Sequence, residues 1–148
     1  MSVPRSFWIL VVFVVGAGFV PFRALNCPVW DVWVTDQKGM PVSGITVRLT
    51  YRNYSAEPVS HEIDAVTDAR GHVEFGARTL SASFFSRFVS TISCAMGGTH
   101  ASFGPHAWVF AFGGSLEGLD IDKRRNVVVD WTGKPDHMES RIVVGPRL

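Results

Sequence analysis

The strongest candidates for a reactive site in this sequence are two histidines on a loop that contains glycine and proline. They are His100 and His106, within the run Thr99–His106. A neutral imidazole is a good ligand for a transition metal. The run holds no cysteine or carboxylate that could complete a ligand shell. Ordinary loop histidines are therefore the stronger interpretation, and we expect no metal ligands and no cofactor.

A hydrolytic site can also be written from residue types alone. Ser102, His106 and Asp120 are the three types found in a serine-hydrolase triad. Ser102, however, stands in no nucleophile-elbow motif, and any chain with several such residues offers a triad on paper. We predict no catalytic residues. The alternative is a small exported enzyme or metal-binding protein with its site at Thr99–His106.

Aromatic side chains are the more informative feature. In the run His106–Phe112, aromatic residues alternate with alanine and valine. We expect the aromatic face, which includes Trp108, to fill the core; in the alternative, the small residues face inward and the aromatics form a strip for a sugar or a protein. Trp33 is out of phase with its core-directed neighbours. With His100 and His106 it marks the candidate ligand surface.

Composition and charge restrict the class of protein. The chain has 148 residues, of which 47% are hydrophobic and 18% charged, so one folded domain is expected. Arg5 and Arg23 precede Asn26, which leaves 12 basic against 13 acidic residues in the remainder. This balance lacks the basic excess typical of a nucleic-acid-binding protein, so we expect no nucleic-acid partner.

The N-terminal segment has the pattern of a targeting signal. After Arg5, the run Phe7–Val20 is apolar without interruption until Pro21. It is shorter than the roughly 18 residues expected of a transmembrane helix and fits the apolar part of a secretory signal. Residues 1–26 are predicted to be a signal peptide or an uncleaved membrane anchor. Residues 27–148 are then an exported domain that is periplasmic, in the cell envelope or secreted, and that contacts the membrane only through an uncleaved anchor.

The remainder of the sequence predicts short strands separated by glycine, proline and aspartate turns. This pattern favours an all-β, antiparallel β-sandwich. No sustained helical period follows Val20, and Arg78–Phe88 suits either one helical turn or a loop. The predicted strands are Val29–Thr35, Ile45–Arg52, Glu62–Thr67, His72–Phe75, Val89–Met96, His106–Phe112, Val127–Trp131 and Arg141–Val144.

The clearest alternation lies in Ile45–Arg52. Residues of one parity are apolar and predicted to face the core, namely Ile45, Val47, Leu49 and Tyr51. Residues of the other parity are polar and predicted to face water, namely Thr46, Arg48, Thr50 and Arg52.

Two segments carry a family resemblance. One is Val34-Thr35-Asp36 followed by Gly39, Pro41-Val42, Gly44, Val47 and Leu49; the other is Thr67-Asp68 followed by Gly71 and Phe75. On these residues, which span roughly Trp30–Phe75, the chain resembles the carboxypeptidase regulatory-like domains, which have a transthyretin-like (prealbumin-like) sandwich. The resemblance implies about seven strands in a Greek key and an accessory module of exported or envelope proteins. Its residues shape turns, so it implies a fold and no active site.

Enzymes that share or accompany this sandwich have signatures that this chain lacks. No histidine begins the H-x-x-E pattern of zinc carboxypeptidases, and no H-x-H pair is present for iron binding as in intradiol dioxygenases. The chain ends in Gly145–Leu148 rather than in the Tyr-Arg-Gly-Ser of the transthyretin-like hydrolases. We therefore expect a non-catalytic module with a binding or structural role in the cell envelope, whose partner is an envelope glycan or protein.

The two cysteines leave two alternatives open. Export would place Cys27 and Cys94 in an oxidising compartment, where two cysteines in a small domain often pair. In the other arrangement, Cys94 packs as a small apolar residue and Cys27 is a free thiol.

Overall fold

The computed structural model describes residues 4–96, 102–122, 124 and 126–147, and most of its elements are strands. The helices are α1 (Arg5–Gly18) and α2 (Phe84–Ala95). The strands are β1 (Pro21–Cys27), β2 (Val29–Thr35), β3 (Thr46–Asn53), β4 (His61–Val66), β5 (His72–Phe75), β6 (Arg78–Ser83), β7 (Pro105–Gly113), β8 (Leu116–Leu119), β9 (Ile121–Asp122), β10 (Val127–Val128), β11 (His137–Val143) and β12 (Gly145–Pro146).

Two larger sheets organise these strands. One has three strands in the order β11-β2-β5, and the other has five in the order β12-β8-β7-β3-β4. Two further pairs, β1 with β6 and β9 with β10, form small antiparallel sheets. The prediction of purely antiparallel pairing is wrong at one place, because β11 runs parallel to β2, with His137 beside Val29 and Val143 beside Thr35. Strand direction depends on pairing across more than a hundred residues, which local alternation does not encode.

Residues of both larger sheets contribute to one hydrophobic core. The predicted inward face of β3 is confirmed for Ile45, Val47 and Leu49, which are buried, and Tyr51 packs half-buried against them. Thr50 was predicted to face water but is also buried. It lies between the larger side chains of its cross-strand neighbours Trp108 and Glu62, which flank it on the outer face.

Strand β7 presents the opposite face from the one expected. Ala107, Val109 and Ala111 are fully buried, whereas the aromatic residues of the strand are only half-buried. The expectation that the aromatic face fills the core is therefore wrong. Trp30 and Trp131 are the largest fully buried side chains of this core, so small side chains on β7 fit against them and the rings of β7 turn outward.

The predicted aspartate turns have the geometry that their sequence indicates. The Oδ1 atom of Asp36 accepts hydrogen bonds from the amides of Lys38 and Met40, each 2.8 Å long. Asp68 Oδ1 accepts in the same way from the amides of Arg70 and His72, and these bonds, that from His72 first, lower the pKa of Asp68. Such side-chain-to-backbone bonds are local, which is why composition alone predicts them.

Glycine is required at one of these turns. Gly71 has a φ of +72°, and a Cβ atom there would collide with the carbonyl oxygen of Val34. A side chain at this position would meet both backbone strain and a steric clash. The second segment of the family resemblance thus includes a residue that the turn itself demands.

Helix α2 replaces a predicted strand. Val89–Met96 was expected to be extended, but the structure has β6 followed by three helical turns, so this expectation is wrong. Of the two alternatives for Arg78–Phe88, the helical turn is present from Phe84 onward and the loop is not. Ser83 caps the helix, its Oγ accepting from the amide of Ser86 at 3.2 Å. Apolar residues recur every four positions from Phe84 to Met96, a helical period masked by a composition that favours strands.

The N-terminal segment contributes a helix and a strand. Within the described residues, no helix is long and apolar enough to cross a membrane. After α1 the chain enters β1, where no strand was predicted, and Asn26 and Cys27 at its end are buried. A targeting role for residues 1–26 stays a prediction.

Candidate functional site

The outer face of the three-stranded sheet carries a cluster of ionisable and aromatic side chains. Asp31 Oδ1 lies at hydrogen-bond distance from His72 Nε2, 2.7 Å away, and the second oxygen of Asp31 lies 2.9 Å from His137 Nε2. Trp33 lies on the same face, 37% exposed, with its ring centroid 4.3 Å from that of His72. Alternation in β2 thus gives Asp31 and Trp33 one outer face, and the neighbouring strands bring the two histidines to it.

The Asp31 cluster is a set of short contacts between one carboxylate and two imidazole rings. Each carboxylate oxygen sits at hydrogen-bond distance from an imidazole nitrogen, so Asp31 holds both rings directly. Among the residues that the structure describes, no group of three or more histidine, cysteine, aspartate or glutamate side chains is arranged to hold a metal ion. Sequence reasoning missed His72 and His137, since only strand pairing brings them to Asp31.

An open groove of about 980 Å³ runs beside Trp33. Its lining includes Pro41, Arg70, Glu139 and Arg141. The groove therefore combines apolar side chains such as Trp33 and Pro41 with charged ones.

A second groove lies on the outer face of the five-stranded sheet and is aromatic. We call it the β7 groove; it has a volume of about 640 Å³, and its lining includes Arg48, Phe110, Phe112, Glu117, Leu119 and Arg147. The rings of Phe110 and Phe112 stack with centroids 5.5 Å apart. The guanidinium carbon of Arg48 lies 5.3 Å from the Phe112 ring centroid, within the range of a cation–π contact.

The charges around the β7 groove are paired. Arg48 contacts Asp64 through Nε at 2.7 Å and Glu62 through Nη1 at 2.8 Å. The hydrogen bonds with Arg48 lower the pKa of Asp64, and the same contact raises the pKa of Arg48 above its usual range. Arg147 Nε lies 3.4 Å from Glu117 Oε2. The groove therefore combines an aromatic floor with polar rims in which both arginines contact carboxylates.

His106 is held by protein groups on both ring nitrogens. Its Nδ1 lies 2.6 Å from Asp130 Oδ2, and its Nε2 lies 3.1 Å from the carbonyl oxygen of Phe103. The Tyr54 ring meets the imidazole edge-on, with centroids 5.2 Å apart. The other histidine of the predicted ligand surface, His100, lies outside the described residues. Of the remaining two residues of that surface, Trp33 lies on the three-stranded sheet and His106 on the five-stranded sheet, so the structure does not bring them together.

The triad written from residue types is not assembled. Asp120 is buried and accepts a hydrogen bond from Ser140 Oγ, whereas His106 pairs with Asp130. Ser140 Oγ in turn accepts from Trp30 Nε1 at 2.7 Å. Burial raises the pKa of Asp120, and the bond from Ser140 opposes this shift. The sequence hints at this Trp30–Ser140–Asp120 link in one way: Ser140 alternates along β11 with Met138 and Ile142, which pack in the core.

The structure gives both cysteines as free thiols. Cys27 Sγ donates to the carbonyl oxygen of Pro28 at 3.6 Å, and Cys94 Sγ donates to that of Tyr54 at 2.8 Å. Burial raises the pKa of Cys27 to about 12, so its thiol stays protonated and unreactive at neutral pH.

Comparison with known proteins gives no family assignment. No protein-family model matches this chain, and no curated protein matches it. Among solved structures, the chain is similar to a 9R-lipoxygenase from Cyanothece, at 12% identity and a TM-score of 0.35. The match covers 78% of this chain but 16% of the lipoxygenase. A likeness this weak assigns neither a fold family nor a function.

Proposed function

We propose that this protein is a non-catalytic, exported β-sandwich module that binds an uncharged glycan of the cell envelope in the β7 groove. The two larger sheets that share one core, together with the Asp-x-x-Gly turns of the Trp30–Phe75 resemblance, support a transthyretin-like, Greek-key arrangement of the carboxypeptidase regulatory-like type. The apolar run Phe7–Val20 supports export.

The outward aromatic face of β7 carries this proposal. Phe110 and Phe112 stack on each other beside an open groove, while the core is filled from the other face of the strand. Aromatic rings turned away from an available core leave apolar area in water, which is a cost unless something covers it. A binding surface for a ligand with a flat apolar face accounts for this arrangement.

The paired charges indicate what kind of ligand fits. Arg48 and Arg147 already contact carboxylates, so neither offers a free cation to an anionic ligand. A sugar ring has a flat face of C–H groups that packs on an aromatic ring, and hydroxyls that can share hydrogen bonds with the rim. A neutral glycan therefore suits the groove better than a phosphate, a nucleic acid or an acidic peptide.

A binding experiment with matched variants tests the proposal. The probes are an array of uncharged glycans and, as the anionic comparison, purified peptidoglycan, with the wild-type chain, Phe110→Ala and, as a control on the other sheet, Trp33→Ala. We expect Phe110→Ala to weaken binding about tenfold or more, and Trp33→Ala to leave it unchanged. Loss of binding in Trp33→Ala alone would show that the glycan binds on the face that carries Asp31 and not in the β7 groove. Absence of binding by the wild type to any uncharged glycan would overturn the proposal.

A further inference from the structure

Helices α1 and α2 carry a large apolar surface that no other part of the described chain covers. None of the described residues of either helix is buried. On α2, the exposed side chains at four-residue spacing are Phe84, Phe88, Ile92 and Met96. On α1, exposed apolar residues surround the helix, with Phe13 at 72%. Exposed apolar patches of this kind mark an interaction site.

The two helices form one continuous surface. Strand β1 directly follows α1, strand β6 directly precedes α2, and the two strands pair with Pro21 opposite Ser83. This register places the end of α1 beside the start of α2. The rings of Phe19 and Phe85 meet there with centroids 4.8 Å apart. We call the exposed apolar residues of α1 and α2 the helical surface.

The elements that form the helical surface, α1, β1, β6 and α2, carry formal charges of one sign. The sequence has no acidic residue before Asp31, and none between Glu74 and Glu117. The elements that build and support the helical surface nevertheless carry four arginines, namely Arg5, Arg23, Arg78 and Arg87. Arg78 stands at the far end of the β1–β6 ladder, opposite Cys27, and the Arg87 guanidinium lies over the Phe22 ring, so the positive charge belongs to these elements as a whole. An apolar patch on positively charged elements complements a layer of anionic headgroups above hydrocarbon.

We propose that the helical surface docks on an anionic lipid bilayer, with α2 lying in the interface between headgroups and acyl chains. Helix α2 has the two faces that such a position requires: the apolar row from Phe84 to Met96, and a polar side that includes Ser86, Arg87 and Ser90. Helix α1 contributes uninterrupted apolar side chains from Phe7 onward. The contact made by α2 belongs to the part of the chain that would remain if residues 1–26 were removed.

A bilayer fits this surface better than a second copy of the chain. Protein interfaces carry roughly one hydrogen bond per 100–200 Å², but between Phe7 and Gly18 the only side-chain hydrogen-bonding group of α1 is the indole N–H of Trp8. Two copies would also bring the arginines of these elements together without any acidic partner from the same elements. Lipid requires no hydrogen-bond partners from the side chains and supplies the opposite charge.

Vesicle flotation of the full chain tests this docking. The probes are vesicles of phosphatidylcholine alone and of phosphatidylcholine with about one third phosphatidylglycerol. We expect the wild type to float with the anionic vesicles and only weakly with the neutral ones. The double variant Phe88→Ser with Ile92→Ser should lower the partition coefficient at least about tenfold. The matched control, Met40→Ser with Val59→Ser, changes two equally exposed apolar residues away from the helices and should float like the wild type.

Three results would overturn the proposal. One is equal flotation of the α2 variant and the wild type, which would leave α2 outside the membrane contact. Another is no preference for the anionic vesicles. The third is a concentration-dependent dimer, seen by sedimentation velocity, that the α2 variant dissociates. Circular dichroism checks that each variant folds. Glycan affinity is measured on the same variants and should not change, because the β7 groove is separate from α2.

Discussion

At the scale of single residues, Ser140 is the most consequential polar group in the core. It is buried, accepts from Trp30 Nε1 and donates to Asp120, so it satisfies two other buried side chains at once. Removing one partner of a buried hydrogen bond costs more than the bond itself contributes, because the remaining group stays desolvated and unpaired. Removing the single Oγ atom of Ser140, on the edge strand β11, should therefore lower the stability of the fold.

Replacing Ser140 by alanine should lower the free energy of unfolding by about 1–3 kcal/mol. Chemical denaturation followed by tryptophan fluorescence measures the change. Ser60→Ala, at an exposed loop serine, is the control and should change stability by less than about 0.5 kcal/mol. Equal effects of the two substitutions would show that the Trp30–Ser140–Asp120 link contributes nothing.

Asp120 gives a pH dependence of defined sign. Its pKa is raised by burial, so the folded state binds this proton more tightly than the unfolded state does. Its contribution to stability is full below the unfolded pKa of about 4 and is lost as the pH rises through the folded pKa. Asp120→Asn should remove this loss, so the stability of the variant relative to the wild type should increase with pH above about 4. Denaturation curves at several pH values measure the difference, and a relative stability that falls with pH would contradict the assignment.

At the scale of elements, strand β3 holds the five-stranded sheet to the core. Leu49 is fully buried in the middle of its inward face, between β4 and β7. Replacement by alanine leaves a cavity in a region where both neighbouring strands are paired, which limits collapse of the surroundings. We therefore expect the loss of folding free energy in Leu49→Ala to fall within the usual range for replacing a large core residue by a small one.

Leu49→Ala should lower the free energy of unfolding by about 2–5 kcal/mol. Thr46→Ala, on the outer face of the same strand and half-buried, is the matched control and should cost much less. Urea denaturation of both variants tests the orientation of the strand. Thr50 would be a poor control, because the structure buries it between Trp108 and Glu62. A larger effect of Thr46→Ala would invert the assigned faces.

At the scale of the whole molecule, the two thiols report on how the helices join the sheets. Cys27 ends β1 inside the shared core, whereas Cys94 lies on α2 and is partly accessible. Unfolded, unreduced protein should titrate with two thiols per chain. In the native protein only Cys94 should react, because the Cys27 thiol is buried and its pKa is raised to about 12. A titration that finds no thiol in the unfolded protein would establish the Cys27–Cys94 bond instead.

Local features of the structure follow from the sequence alone. Strands β2, β3, β4 and β5 lie where alternation placed them, within a residue or two at each end. The turns at Asp36 and Asp68 form because each carboxylate binds amides two and four residues onward. These interactions involve neighbours in sequence, so residue type and spacing are sufficient to predict them.

The candidate sites required the tertiary structure. Both faces of β7 are apolar, so period-two alternation identifies the two faces without saying which is buried; Trp30 and Trp131, from distant parts of the chain, decide it by filling the core. His72 and His137 meet at Asp31 only because β5 and β11 flank β2. Local sequence patterns were sufficient to predict a β-rich chain, its turns and an apolar N-terminal run. Tertiary packing decided which aromatic rings face water, because burial is settled by competition among side chains that are far apart in sequence.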